Sequence, residues 1–353
     1  MRIGWRNVLG ILLSIVFLAW ALHKVDFALV IAHLRHSNLV LWGAATVAGT
    51  CIFPLRARRW RPILAPVAPH LPLGSLWRAT AIGMMVNNVV PARAGELARA
   101  YTLTRETPRV SFSAAFASLA VDRVFDAFVV LVLMLSAMID PAFPAHEIIG
   151  GQRVTSWMFT GGAVLGLAVL ALYLIVFFPL RMIAIYEAFA RRVAPRFEQR
   201  GRDTLAAFAS GLGVLRHPAR FLEVLAWAVA HWLLNAFAFW LGFRAVGIGA
   251  PFSAALMLQG LIAIGVAVPS APGFVGVFEY IGQQGLGLYG VDAARATSWA
   301  IGFHVLTYIP ITLIGIYYFA RLGLHFRDLE RADAVAALDE AGAASAAADG
   351  RGG

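Results

Sequence analysis

The stretch NNVVPARAGELARAY, Asn87 to Tyr101, follows an apolar run, Ala79 to Val86, that reads as the start of a membrane helix. Two Asn, a helix-breaking Pro, two Arg and a Glu then arrive before any loop signal. An unpaired charge at the bilayer centre costs roughly 2.5–3.5 kcal/mol on insertion scales. Irregular backbone at that depth persists only where it is buried in protein or lines a wet cavity. Pro91 removes an amide and breaks the helix, which frees carbonyls that need partners. Gly95 permits the turn. Arg93 and Arg99 can then face a polar cavity with forked donors suited to phosphate or carboxylate. The alternative is that Arg93, Glu96 and Arg99 neutralise one another and only hold the fold.

Composition sets the class around this stretch. Hydrophobic residues make up 60% of the chain and charged residues 14%, which excludes a soluble globular domain. Apolar runs of spanning length recur, so the expected fold is an all-α polytopic membrane protein. The net charge of +10 is almost all arginine in short segments that flank apolar runs. Such segments face the cytoplasm and its anionic lipid, so no nucleic-acid partner is expected. The single cysteine, Cys51, can form no internal disulfide. Arg2 and Arg6 precede an apolar run to Leu22, and Ala19-Trp20-Ala21 resembles a cleavage site. An uncleaved first span with a cytoplasmic N-terminus is the favoured reading.

Apolar runs predict about six full spans, near residues 7–22, 38–55, 111–138, 156–178, 221–244 and 293–319. Segments 73–105 and 252–290 are also apolar but broken in the middle by Pro and Gly. The Arg-rich stretch 179–220 reads as cytoplasmic interfacial helices, and 332–353 as a disordered cytoplasmic tail after a single transmembrane domain, 1–331. RARRWR (56–61), the 179–220 stretch, Arg321 and Arg327 belong on the cytoplasmic side by charge. With both termini inside, six spans satisfy these assignments only if each broken segment enters and leaves on one face. Two opposed re-entrant helical hairpins follow. AIGMMVNNVVPARAG and AIGVAVPSAPG share their first three residues and a closing Pro-x-x-x-Gly, which suggests an inverted repeat with a binding site near the midplane.

The remaining polar residues fall into two groups. In VDRVFD, Asp122 and Asp126 share one helix face and Arg123 points roughly 100° away. Arg93, Arg99 and Arg123 balance Glu96, Asp122 and Asp126, a pattern that suits an ion network and also a headgroup site, with Asn87 and Asn88 beside it. The Asp122/Asp126 spacing can hold magnesium-diphosphate, but no second acidic motif stands on another span, so no metal and no cofactor is expected. In PSAPGFVGVFEY (269–280), Pro269, Pro272, Gly273 and Gly276 break the backbone. Glu279 there is either a proton or cation site or a partner for an arginine. His304 and Tyr308 lie one turn apart on the last span, ahead of Pro310, which should kink it; His231 and Asn235 share another span. Each of these is a transport residue or a hydrogen-bonded packing residue. No HExxH, Cys-x-x-Cys, phosphate-binding glycine loop or Gly-x-Ser-x-Gly occurs.

NNVVPARAGELARAY followed by SAAFASLAVDRVFD resembles the flippase-like family related to the transmembrane region of lysylphosphatidylglycerol synthase. VPSAPGFVGVFE and HVLTYIPITLIGI look like its C-terminal signature, and the resemblance covers residues 5 to 325. It implies a bacterial inner-membrane protein whose membrane part moves a lipid between leaflets, in some members fused to an aminoacyl-lipid synthase. No such synthase segment follows here, so an enzyme is not expected. Stand-alone members are tied to glycolipid, polyprenyl-linked sugar or hopanoid pathways. The expected partner is a membrane lipid; glycine-rich spans also permit a homodimer, and a lipid-biosynthesis enzyme is a further candidate. A magnesium-dependent lipid-phosphate or polyprenyl transferase and a non-transporting accessory are the rival functions.

Overall fold

The computed structural model describes residues 5–23, 25–90, 94–149, 151–193, 198–199, 201–202, 217–266 and 271–325. Pro91, Arg93, Pro269, the residues 194–197, 200 and 203–216 of the Arg-rich stretch, and the tail 332–353 lie outside the described residues.

The described residues are helical nearly throughout. Helices α1 (Trp5–Leu22), α2 (Phe27–Arg35) and α3 (Leu39–Leu64) open it. The two helices after α1 start where short polar side chains cap free amides: Asp26 accepts from Ala28 and Leu29, and Asn38 from Val40 and Leu41. Then come α4 (Leu73–Val89), α5 (Gly95–Glu106), α6 (Phe112–Ser136), α7 (Val154–Phe177) and α8 (Pro179–Val193). A two-residue hairpin, Ile148–Ile149 against Gln152–Arg153, precedes α7. The C-terminal part holds α9 (Pro218–Ala245), α10 (Phe252–Gly265), α11 (Val277–Gly287) and α12 (Ala293–Arg321), the last capped by Asp292.

By length and composition α3, α9 and α12 can each cross a membrane. The first apolar segment is bent by 84° between Ile15–Leu22 and Phe27–Arg35, and counts as a fourth crossing if the bent pair is one span. Helices α6 and α7 also fill predicted span positions, with 25 and 24 residues. The outer faces of the long helices are greasy: Leu39, Val40, Val47, Leu222 and Leu313 are all exposed. Such a surface fits hydrocarbon rather than water. Aromatic rings fill one half of the interior, where Phe239 meets Phe303 edge-on at 4.8 Å and Trp299 is fully buried.

Both predicted breaks are present, and in each the two arms pack on one another. In the first hairpin α4 and α5 flank the break and cross at Gly83 and Gly95. A Cβ on Gly83 would lie 2.7 Å from the Gly95 carbonyl oxygen, so the crossing tolerates only hydrogen there. Gly95 thus serves close helix approach rather than an unusual backbone angle, a correction to its expected turn role; it is the first residue of α5 and is not among the positive-φ glycines. In the second hairpin α10 and α11 flank a 3-10 turn, Pro272–Phe274. Here the glycines do supply backbone freedom, with φ of +68° at Gly273 and +88° at Gly276. That turn packs against α4, and α12 packs against both α4 and α11, so the hairpin tips meet beside the last helix. Pro310 sits inside α12, which is assigned as one helix from Ala293 to Arg321.

Helix α8 exposes Leu180, Ile185, Phe189 and Val193, with Arg181, Arg191 and Arg192 also on its exposed surface. That mixture suits a helix lying at a membrane surface.

Candidate functional site

The site is assembled from one arm of the first hairpin and three long helices. Arg56 and Arg59 come from α3, Arg99 from α5, Asp122 and Asp126 from α6, and His231 and Trp232 from α9. The α-helical period sets the geometry. Asp122 and Asp126 sit one turn apart on the inner face and are buried, whereas Arg123 turns outward with half its side chain exposed. Arg56 and Arg59, also about a turn apart, present two guanidinium groups to those two carboxylates.

Arg59 is the centre. Its Nη1 donates to Asp126 Oδ1 at 2.7 Å, and its Nη2 lies 2.6 Å from Asp122 Oδ1, an ion-pair contact angled away from a hydrogen bond. Arg56 Nη2 stands 3.6 Å from Asp122 and 3.5 Å from Asp126. Arg99 Nη1 donates to Asp122 Oδ2 at 3.2 Å, while its guanidinium lies 4.0 Å over the Trp60 ring. Trp60 is oriented by the bond from its Nε1 to Ser118 Oγ. Trp232 Nε1 completes Asp126 at 2.9 Å, and His231 Nδ1 stands 3.8 Å from the same oxygen.

Three guanidinium groups thus face two carboxylates, which leaves one positive charge in excess. Among the described residues, Arg99 Nε and Nη2 and Arg56 Nε have no hydrogen-bond acceptor, although both side chains are buried. Buried donors without acceptors are costly, and in native proteins they mark a place for a water, an ion or a ligand. An anion would complement the excess positive charge there.

The predicted balance of three acids and three bases is therefore partitioned differently. Arg123 pairs with Glu96 at the rim, with Asp126 at 3.9 Å. Arg56 and Arg59 enter the interior instead of forming a loop, because α3 continues to Leu64 and buries both. Sequence reasoning missed them, since RARRWR carries the signature of a cytoplasmic flank.

Asn87 holds the first break closed, and Asn88 ties α4 to α12. Asn87 Oδ1 accepts the Gly95 amide at 2.9 Å, and Asn88 Nδ2 donates to Thr312 Oγ1 at 2.7 Å. Tyr308 donates its hydroxyl to the Asn88 carbonyl at 2.7 Å. One turn earlier, His304 Nδ1 faces Glu279 Oε1 at 2.5 Å and its Nε2 faces the Gly273 carbonyl at 2.8 Å. The structure thus gathers Glu279, His304, Tyr308, Gly273 and Asn88 into a second polar centre between the hairpin tips, distinct from the arginine cluster. Among the described residues the partner of Glu279 is a histidine rather than an arginine. Asn235 joins neither centre and donates to Gln259. Among the described residues no group of three or more His, Cys, Asp or Glu converges as a metal cage would.

Broken helices, lipid-facing surfaces and buried charge define a multi-pass α-helical membrane protein. The sequence model of the lysylphosphatidylglycerol synthase TM region matches residues 7–315, and the chain belongs to that family. It is also similar to the glycosyltransferase AglD of Haloferax volcanii, 38% identical over 119 residues that make up 34% of this chain and 19% of that protein. The chain therefore spans about a fifth of that relative. No solved structure matches it.

Proposed function

We propose that this chain is a lipid translocator of a bacterial inner membrane, with both termini cytoplasmic and the two hairpins re-entrant from opposite faces. A phosphate-bearing headgroup reaches the α5 arm of the first hairpin where it meets α3, α6 and α9, and is held there by Arg99 with Arg56 and Arg59, while Asp122 and Asp126 keep those arginines aimed. The observation that carries this reading is the uncompensated positive charge beside unpartnered Arg99 donors, at the contact between a broken helix and three long helices. Membership in the family supports lipid as the substrate class. The printed name of the Haloferax relative adds lipid-linked glycans to the candidates. Both carboxylates face guanidinium groups rather than open space, which supports binding over a magnesium-dependent transferase. Catalytic activity and a resident cofactor form no part of the reading.

The test is to extract the full chain in native membrane discs and compare its lipids with bulk membrane by mass spectrometry, beside Arg99→Gln. The expected result is one phosphate-bearing lipid class enriched with the parent chain and depleted with the variant by about tenfold, the share of one charge-assisted bond. A bulk-like profile for both would sink the headgroup site.

A further inference from the structure

We propose that His304 and Glu279 form a proton-binding site that fastens the second hairpin to α12, and that loss of one shared proton releases the Gly273 carbonyl. The proposal goes beyond lipid binding and holds whatever passes between the hairpins.

The donor inventory forces it. The Gly273 carbonyl can only accept, so His304 Nε2, 2.8 Å away, must carry hydrogen. His304 Nδ1 and Glu279 Oε1 stand 2.5 Å apart, which requires one more proton between them, whether as imidazolium with carboxylate or imidazole with carboxylic acid. Glu279 Oε2 is already committed, because it accepts the Gly276 amide at 2.6 Å where α11 begins. When the shared proton leaves, the imidazole keeps a single hydrogen. If it sits on Nδ1, the Nε2 lone pair opposes the Gly273 carbonyl. If it sits on Nε2, the Nδ1 lone pair opposes the carboxylate. One of the two contacts is lost either way, and because the charged carboxylate is the stronger acceptor it keeps the hydrogen on Nδ1, so the Gly273 carbonyl is the contact released.

The position gives this loss a consequence. Tyr308, one turn along α12, grips the other hairpin through the Asn88 carbonyl. Helix α12 therefore holds both hairpin tips, one by a hydroxyl that keeps its proton and one by a pair that exchanges it. The Phe278 ring lies 4.7 Å from the imidazole and the Tyr308 ring 5.9 Å, so water is partly excluded from the pair. Among the described residues, no charged or titratable group on a neighbouring element hydrogen-bonds to the pair. Helix α10 and the described side chains of α1 carry none, α11 adds Tyr280, which packs at a tilt against Phe17 and Trp20, and α4 adds Arg78, held by Glu106. Helix α2 adds His33 and Arg35, and α3 adds Cys51 and its arginines, of which Arg56 and Arg59 face aspartates and Arg58 faces Glu223. Helix α9 adds Arg220, Glu223, His231 near Asp126, and Arg244 over Trp240; α12 adds Arg295, Tyr317, Tyr318 and Arg321. Among the described residues, no ion pair joins any of these to Glu279 or His304.

The test is amide hydrogen exchange, read by mass spectrometry, on the full chain in discs of phosphatidylethanolamine and phosphatidylglycerol. Protection, meaning intrinsic over observed rate, is measured for peptides covering 271–280 from about pH 5 to 9. Expected for the parent chain is a fall of roughly tenfold or more as pH rises, the share of a lost charge-assisted bond, while α9 stays protected. Glu279→Gln should hold high protection at every pH, since its amide donates to Nδ1 and its oxygen still accepts from Gly276. His304→Gln should show low protection even at acid pH, because one amide cannot span both partners. A flat parent profile, or a Glu279→Gln slope that parallels the parent, overturns the proposal. If Glu279→Gln does not fold, an unchanged slope in His304→Gln does the same.

Discussion

Replacing Asp126 with alanine is expected to lower stability by about 3–5 kcal/mol, the largest effect of any single side-chain truncation here. Three groups lose their acceptor at once: Arg59 Nη1, Trp232 Nε1 and Arg56 Nη2. The pair itself need not be stabilising relative to an apolar core, because both charges are desolvated. Removing one side of it is another matter, since the arginines stay behind with the excess of positive charge raised from one to two. Arg59→Met combined with Asp126→Ala should therefore cost less than the sum of the two single changes. Denaturant unfolding in detergent, followed by tryptophan fluorescence, gives both quantities. Strict additivity, or an Asp126→Ala cost below about 1 kcal/mol, would contradict the buried network.

Gly95→Ala carries the second large effect. A Cβ there collides with the Gly83 carbonyl and with the Asn87 amide that clamps the break. Backbone on the far side of the contact cannot step aside as a flexible side chain could, so the cost is at the upper end of about 1–3 kcal/mol or above it. The change also moves Glu96 and Arg99, which follow on the same helix. A Cβ on Gly161 of α7 would meet nothing within 4 Å, so Gly161→Ala is the control, neutral or mildly stabilising. The thermal midpoints of the two variants decide the point. Equal midpoints would mean that the α4–α5 crossing is looser than described.

Much of the architecture was legible one residue at a time. Proline and glycine within apolar runs located both breaks, because neither residue type continues a helix comfortably there. The spacing of Asp122 and Asp126 put them on one buried face and Arg123 outside it, as the structure has them. The arginines that face those aspartates were not legible. RARRWR reads as a flank by the positive-inside rule, and only the continuation of α3 to Leu64 brings Arg56 and Arg59 indoors. A signal did exist: two buried acids one turn apart need two bases at matching spacing, and Arg56 and Arg59 with neighbouring Trp60 supply it. The Glu279–His304 contact spans 25 residues, and the Tyr308–Asn88 contact 220, so no local pattern could announce either. The 84° bend after α1 was equally silent, since its apolar residues read simply as a first span.

The most direct test of the central claim, that lipid passes between leaflets beside the arginine cluster, is a translocation assay. The purified chain is placed in vesicles of phosphatidylethanolamine and phosphatidylglycerol doped with a tail-labelled fluorescent lipid of the class found in the discs, and outer-leaflet label is bleached chemically over time. With the parent chain, bleaching should run past half of the label, and Arg99→Gln should slow the excess phase by about tenfold or more while keeping the parent's thermal midpoint within a few degrees. Bleaching that stops at half with the folded parent chain, or an Arg99→Gln rate equal to the parent's, would contradict it.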